Sequence, residues 1–241
     1  MPIKVAVCQV PDIIADMETA LQWIEKFTKK AQEKSASVVC FPECFLQGYL
    51  TEEIVARKNA INLSSPLFDS ILMRLAKYSP MIVLGLIEEA DGLLYNTAIV
   101  IKDGRLLGRY RKTHLLDGEA LFTAGTEYPI FKTRDLRFGI NICYDTQFAE
   151  ASARLTAKGA TLIFCVSNTM MSEKKAAKFK HLHLSMRAER AKEQQVWLLS
   201  SDVTGTREGR IAYGSTSVIN PEGIVIQQVP FLETGMLIVE V

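Results

Sequence analysis

The chain has 241 residues, 48% of them hydrophobic, and a formal charge of +1 at pH 7. It can bury a sizeable core, and it lacks the global field of a nucleic-acid binder or of a protein held on acidic membranes. No apolar run reaches the ~18 residues of a membrane helix, "MPIKVAVCQV" carries no signal-peptide pattern, and five cysteines make no disulfide framework. These features together read as a soluble protein of a reducing compartment, expected in the cytoplasm.

The first apolar run, "IKVAVCQV", is valine-rich and predicts a buried strand. Residues 16–34 place Met17, Ala20, Leu21, Ile24, Phe27 and Ala31 at helical spacing behind Asp16 as N-cap. "SVVCFPE" predicts a second buried strand, stopped by Pro42. A helix is predicted over 66–78, opened by Pro66. "MIVLGLIEE", "LLYNTAIVI" and "RLLGRYRK" predict three strands joined by the turn signals "ADG" and "KDG". There follow strand 137–142, helix 146–158, strand 161–166, a long helix over about 173–193 and strand 195–200. "GSTSVINPEGIVIQQV" and "GMLIVEV" predict two or three closing strands. The hairpins exclude a purely parallel doubly wound sheet, and the helices exclude a purely antiparallel sandwich. The expected fold is α/β, a four-layer α-β-β-α sandwich with two mixed β-sheets face to face and helices outside. No repeat, low-complexity stretch or linker divides residues 1–241, so one domain is expected.

Three segments end a strand in a reactive side chain: "VVCFPECF" at Glu43, "GRYRKTHL" at Lys112 and "FGINICYD" at Cys143. Strand ends are where sheet proteins assemble sites, because the sheet is rigid and the following loop is open. A carboxylate, an ammonium and a thiol make a working set. The carboxylate takes the thiol proton and later activates water, while the ammonium holds an oxyanion. Each residue alone has an ordinary explanation. A cysteine in an apolar segment is commonly inert core, a glutamate after proline is a solvated turn residue, and a lysine in "RYRK" belongs to a basic edge. Cys8, Cys40 and Cys165 lie inside strand runs and keep the core reading. Cys40 and Cys44 have C-x₃-C spacing, but nothing completes a zinc site, and no metal is expected. His114 is expected to brace the end of the lysine strand. His181 and His183 are expected on the surface or at an interface, and no Cys-His-Asn pattern of a thiol protease appears.

Taken together, these segments resemble the nitrilase (carbon–nitrogen hydrolase) superfamily, amidase-like branch, from end to end. "FPECFLQGY" is similar to the family's glutamate motif, "GRYRKTHL" to its lysine motif, and "GINICYDTQFAEASARLTAKGATLIFCVSN" to its nucleophile motif. "MRAERAKEQQVWLLSSDVTG" and "YGSTSVINPEGIVI" are similar to its late helix and final hairpin. The resemblance implies Glu43 as general base, Lys112 as oxyanion-stabilising cation and Cys143 as nucleophile. It also implies a supporting second glutamate, for which "DGEALFTAG" offers Glu119 ahead of Phe122 and Gly125. In "CYDTQFAE", Ala149 stands where family members often carry proline. A helix N-terminus behind Cys143 is expected to favour thiolate, with the Tyr144 N–H facing the oxyanion. Tyr49 and Asn168, in loops after strands, are expected to contact substrate.

The activity so implied is hydrolysis of a non-peptide C–N bond in a small amide or N-carbamoyl compound. It would run through a cysteine thioester, releasing ammonia or an amine, with no cofactor. Alternatives are a catalytically silent family member acting as a binding or scaffold protein, and a nitrile-hydrolysing nitrilase. Family members usually pair through the helix after the nucleophile and the final strands, so a homodimer or larger homo-oligomer is expected, with no nucleic-acid or membrane partner.

Overall fold

In the computed structural model, which describes residues 2–241, the valine-rich opening run forms β1 (Lys4–Pro11). Helix α1 (Met17–Glu33) follows, and the Asp16 carboxylate caps it by accepting the Thr19 N–H at 3.0 Å. Strand β2 (Val38–Cys40) stops short of Pro42. Then come α2 (Glu53–Asn59), α3 (Pro66–Leu75), β3 (Met81–Ala90), β4 (Leu93–Lys102) and β5 (Arg105–Arg111). The turns between the last three strands fall on Asp91-Gly92 and Asp103-Gly104, and all four residues have positive φ (53°, 77°, 51° and 69°). That is the backbone a tight two-residue hairpin requires.

The second half runs β6 (Phe131–Thr133), β7 (Leu136–Ile142), α4 (Ala149–Ala157), β8 (Leu162–Val166) and β9 (Met171–Ser172). It continues through α5 (Glu173–Phe179), α6 (Leu182–Gln194), β10 (Trp197–Arg207), β11 (Arg210–Ala212), β12 (Ser217–Ile219), β13 (Val225–Gln228) and β14 (Gly235–Glu240).

One sheet has the order β5-β4-β3-β2-β1, with β14 antiparallel along the rest of β1. The other has the order β6-β7-β8-β10, extended by β12 and β13. Both mix parallel and antiparallel pairs. Strand β10 joins them: its first half pairs with β8, and Asp202–Thr204 then pair in parallel with Gln9–Pro11 of β1.

Alternation along each strand builds the layers. Val5, Val7, Val38, Val83 and Val100 of the first sheet share a core with Phe138, Ile140, Ile142, Phe164 and Val166 of the second. On the outer face of the first sheet, Ala6, Cys8, Val39 and Ile82 pack under Ile24 and Phe27 of α1 and Phe68 and Ile71 of α3. Burying each of the larger side chains contributes roughly 1.5–3 kcal/mol. Helices α4 and α6 cover the second sheet, where Gly139 has no Cβ and so admits Leu155. The expected α-β-β-α order of layers is what the chain forms.

Several boundaries differ from the sequence reading. The helix expected over 146–158 is a 3-10 turn (Cys143–Gln147) followed by α4, because Phe148 is extended (φ −100°, ψ 113°). The long helix over 173–193 is broken between α5 and α6. At the break, Lys180 lies over the rings of Tyr213 and Phe231, and His181 meets Phe231 edge-on. These tertiary contacts are invisible to periodicity. Helix α2 and the short strands β6, β9 and β11 carry no period long enough to read.

Gly85 of β3 lies directly beneath the loop that carries Glu43. A Cβ there would collide with the Pro42 carbonyl and come within 2.6 Å of the Cys44 nitrogen and 2.8 Å of the Glu43 Cα. Backbone cannot give way as a flexible side chain can. Gly85→Ala is therefore expected to cost about 3 kcal/mol or more in folding free energy, read as a lower denaturation midpoint with unchanged m-value.

Candidate active site

Strand β2 ends before Pro42, and the chain turns sharply through Cys44 at φ +50°, which leaves Glu43 pointing into the protein with 1% exposure. Lys112 follows the last residue of β5. Its backbone stays in register, the N–H donating to the Asn96 carbonyl at 2.9 Å and the carbonyl accepting the Gly125 N–H at 2.8 Å. Glu119 ends the 3-10 turn Asp117–Glu119 and is fully buried. The Lys112 Nζ lies 2.8 Å from Glu43 Oε1 and 2.8 Å from Glu119 Oε1.

Both carboxylates are otherwise well supplied with donors. Asn96 Nδ2 donates to Glu43 Oε1 at 2.7 Å and to Glu119 Oε1 at 3.2 Å. Tyr49 donates its hydroxyl to Glu119 Oε1 at 2.8 Å, and the Leu116 N–H donates to Oε2 at 2.8 Å. The Asn168 N–H donates to Glu43 Oε2 at 2.9 Å. Tyr49 and Asn168, which the sequence reading put against substrate, bond the carboxylates, Tyr49 through its hydroxyl and Asn168 through its backbone N–H.

Burial pushes the Glu43 carboxyl above its ordinary range. The Lys112 charge pulls it back, and the neighbouring Glu119 charge pushes it up again. Burial opposes the charge on Lys112, but Glu43, Cys143 and Glu119 outweigh it, and Lys112 is held well above the ordinary lysine value. It is a permanent cation.

Cys143 follows β7 with φ +45°, a strained conformation for a residue with a side chain. Asp145 pins this elbow to the lysine segment. Its Oδ2 accepts from Tyr110 OH at 2.8 Å and from the Ile142 N–H at 3.0 Å. Its Oδ1 accepts from the Thr113 N–H at 3.2 Å, the Thr113 hydroxyl at 3.0 Å and the His114 N–H at 2.8 Å. His114 stacks on Phe148, centroids 3.8 Å apart, and reaches Glu150 at 3.1 Å, a bracing position.

Half-buried Cys143 opens onto a cavity of about 300 Å³, within the range of small-molecule sites. Leu116, Tyr144 and Met171 share its lining with exposed Lys175, half-buried His183 and buried Arg187. Among the described residues no aspartate or glutamate lines it. Burial, aided by the Arg187 and Lys175 charges, lowers His183 to about 3, so it is neutral at ordinary pH.

The expected helix N-terminus favouring thiolate at Cys143 is not what the chain forms. A 3-10 turn, not an α-helix, begins at Cys143. Burial and then the Glu43 charge push the thiol well above its ordinary value, against the pull of Lys112. Asn96, Asp145, Lys175 and Arg187 escaped the sequence reading as site residues. Asn96 had a signal, a polar pair "NT" inside an apolar strand, while the others depend on which loops meet.

A two-sheet sandwich with helices on both faces, holding an elbow cysteine beside a buried glutamate–lysine–glutamate cluster, defines a class of hydrolases acting on carbon–nitrogen bonds. A sequence model of the carbon–nitrogen hydrolase family matches residues 4–241, and the chain belongs to that family, in the amidase-like branch of the nitrilase superfamily. It is similar to omega-amidase NIT3 of Saccharomyces cerevisiae, 30% identical over 94% of this chain and 82% of that protein. It is also similar to omega-amidase NIT2-B of Xenopus laevis, 32% identical over 87% of this chain and 78% of the relative. The crystal structure of Saccharomyces cerevisiae Nit3 superposes with a TM-score of 0.85 at 27% identity, covering 99% of this chain and 89% of that one.

Asp145→Ala would strand five buried or partly buried donors and release the elbow from the lysine segment. The expected loss is about 3 kcal/mol in denaturant melts, together with slower alkylation of Cys143 as the elbow relaxes.

Proposed function

We propose that the protein hydrolyses the amide of a small molecule carrying a carboxylate at its far end, through a thioester on Cys143. The observation that carries this reading is the cavity on Cys143, whose wall has the cations Lys175 and Arg187 and, among the described residues, no acid. An amide placed at the cysteine leaves its other end toward these charges. That the relatives at about 30% identity are omega-amidases supports the same reading.

Glu43 Oε1 already accepts from Lys112 and Asn96, whereas Oε2 accepts only the Asn168 N–H and has room for a proton. Glu43 takes the Cys143 proton as sulfur attacks the amide carbon, and the carbonyl electron pair moves onto oxygen. Lys112 spends two of its three protons on the carboxylates; the third, with the Tyr144 N–H, meets the oxyanion. Collapse expels the amine, protonated by Glu43, and leaves a thioester. Glu43 then deprotonates water, which attacks the thioester and releases the acid and the thiol. Glu119 and Tyr49 hold Lys112 in place. A nitrile would enter the same first step. A silent scaffold protein would have no need of a buried cation kept between two acids.

The test is ammonia release from a panel of neutral amides and dicarboxylic monoamides. Turnover is expected on the monoamides, with a transient acyl adduct on Cys143 by intact mass. Cys143→Ala should reduce the rate by at least 10³-fold, and Lys175→Met should raise KM for the monoamides about tenfold and leave neutral amides unaffected. Because Glu43 is raised and acts deprotonated, the acid limb of kcat/KM should lie above the ordinary carboxylate value. No ammonia from any amide would overturn the reading.

Pairing of two copies is also proposed. Among the described residues strand β13 bonds only to β12, and Val225 and Ile226 in it, with Ile224 just before it, are 36–57% exposed, an apolar edge suited to a second copy. Light scattering at micromolar concentration should read a dimer or larger, and Ile226→Lys should shift it toward monomer.

A further inference from the structure

We propose that Asn96, held in one orientation by the thiol of Cys44, is a positioning residue that keeps Glu43 ionised for proton abstraction. The proposal rests on the reading of Glu43 as the base.

Glu43, Lys112, Glu119 and Asn96 form a closed ring. Two acids receive one ammonium proton each and one amide proton each, with Nδ2 at 2.7 Å and 3.2 Å from the two Oε1 atoms. A single lysine gives the pair of carboxylates one compensating charge. The amide adds two donors without adding charge, and donors to the ionised form favour it. Reversing the amide would press its carbonyl oxygen onto both carboxylate oxygens. The ring therefore works in only one of the two amide orientations.

Cys44 reinforces that orientation from the other side of the amide. Its Sγ donates to Asn96 Oδ1 at 3.4 Å, the one side-chain hydrogen bond that oxygen makes among the described residues. The thiol is fully buried, adjoins Glu43 in sequence and is directed by the left-handed turn at φ +50°. Burial and then the Glu43 charge push it well above the ordinary thiol value. It stays S–H, a donor at every working pH and no rival nucleophile to Cys143. With the thiol gone, Oδ1 is buried without a donor, and the amide that feeds both carboxylates is held from one side alone.

The test reads Cys143 directly and needs no substrate: the rate of iodoacetamide labelling of Cys143 against pH, resolved by peptide mass, in the full-length protein. Cys44→Ala should move the acid limb to higher pH and slow labelling about tenfold below it, the loss of one hydrogen bond to a charge. Labelling above the limb should be retained, because a carboxylate of higher proton affinity is the stronger base. A merely structural defect would instead lower the rate at every pH. Cys44→Ser, which keeps a donor on the same Cβ, should restore the wild-type limb. Cys44→Gly suits the positive φ and carries the test if the alanine variant does not fold. An unmoved limb in the alanine or glycine variant, or serine and alanine behaving alike, would overturn the proposal. So would a wild-type profile without an acid limb, which would also remove Glu43 as base. An inactive amide panel beside an intact limb would sink the proposed reaction alone.

Discussion

One ammonium between two carboxylates, all three at 1% exposure or less, is the constraint on which the rest of the molecule depends. Ions taken out of water cost several kcal/mol each, and only close pairing and a full set of hydrogen bonds recover it. The chain meets that demand from separate places: Glu43 after β2, Asn96 in β4, Lys112 after β5, Tyr49 and Glu119 from loops, and the Asn168 backbone after β8. A shift of one residue in the β3-β4-β5 meander would turn Asn96 to the opposite face and leave two acids short of donors. The hairpin turns at Asp91-Gly92 and Asp103-Gly104 therefore serve the site as much as the sheet.

The same need explains the polar interior at the joint between the sheets. Asp202, at the point where β10 passes from one sheet to the other, accepts from the Thr169 and Ser215 hydroxyls at 2.8 and 2.5 Å. Buried Arg187 donates to Ser215 and Ser167 at 2.8 Å. Asp145 joins the elbow to the lysine segment. These bonds hold the loops at one end of the sandwich in fixed relation, so the places of the thiol, the carboxylates and the lysine are set before any substrate arrives. The strain at Cys143 is sustained by that surrounding network.

Burial and then the Glu43 charge push the Cys143 thiol up, and burial pushes the Glu43 carboxyl up in the same direction, so burial alone does not match the two proton affinities. In the proposed mechanism the transfer is favoured instead by stabilisation of the oxyanion that forms as sulfur attacks.

Much of this was legible in the residues. Period-two and period-3.6 patterns, the two Asp-Gly turns and the proline stops determined the main strands, α1, α3 and the layered fold, because they act through local backbone preference and burial of one face. Glu43, Lys112, Glu119 and Cys143 were picked out by their place at strand ends and by the family's motifs. What no local pattern could carry was decided by tertiary contact. Phe148 splits the turn at Cys143 from α4, and the rings of Tyr213 and Phe231 receive Lys180 where the long helix breaks. The Tyr49 hydroxyl and the Asn168 backbone N–H bond the acids. Asn96 becomes the bridge between two carboxylates whose residues lie 53 and 23 positions away in the chain. The sequence by itself determined which groups could do chemistry. Their hydrogen-bond partners and proton affinities were decided by the tertiary structure, because both depend on burial and on charges brought together from distant segments.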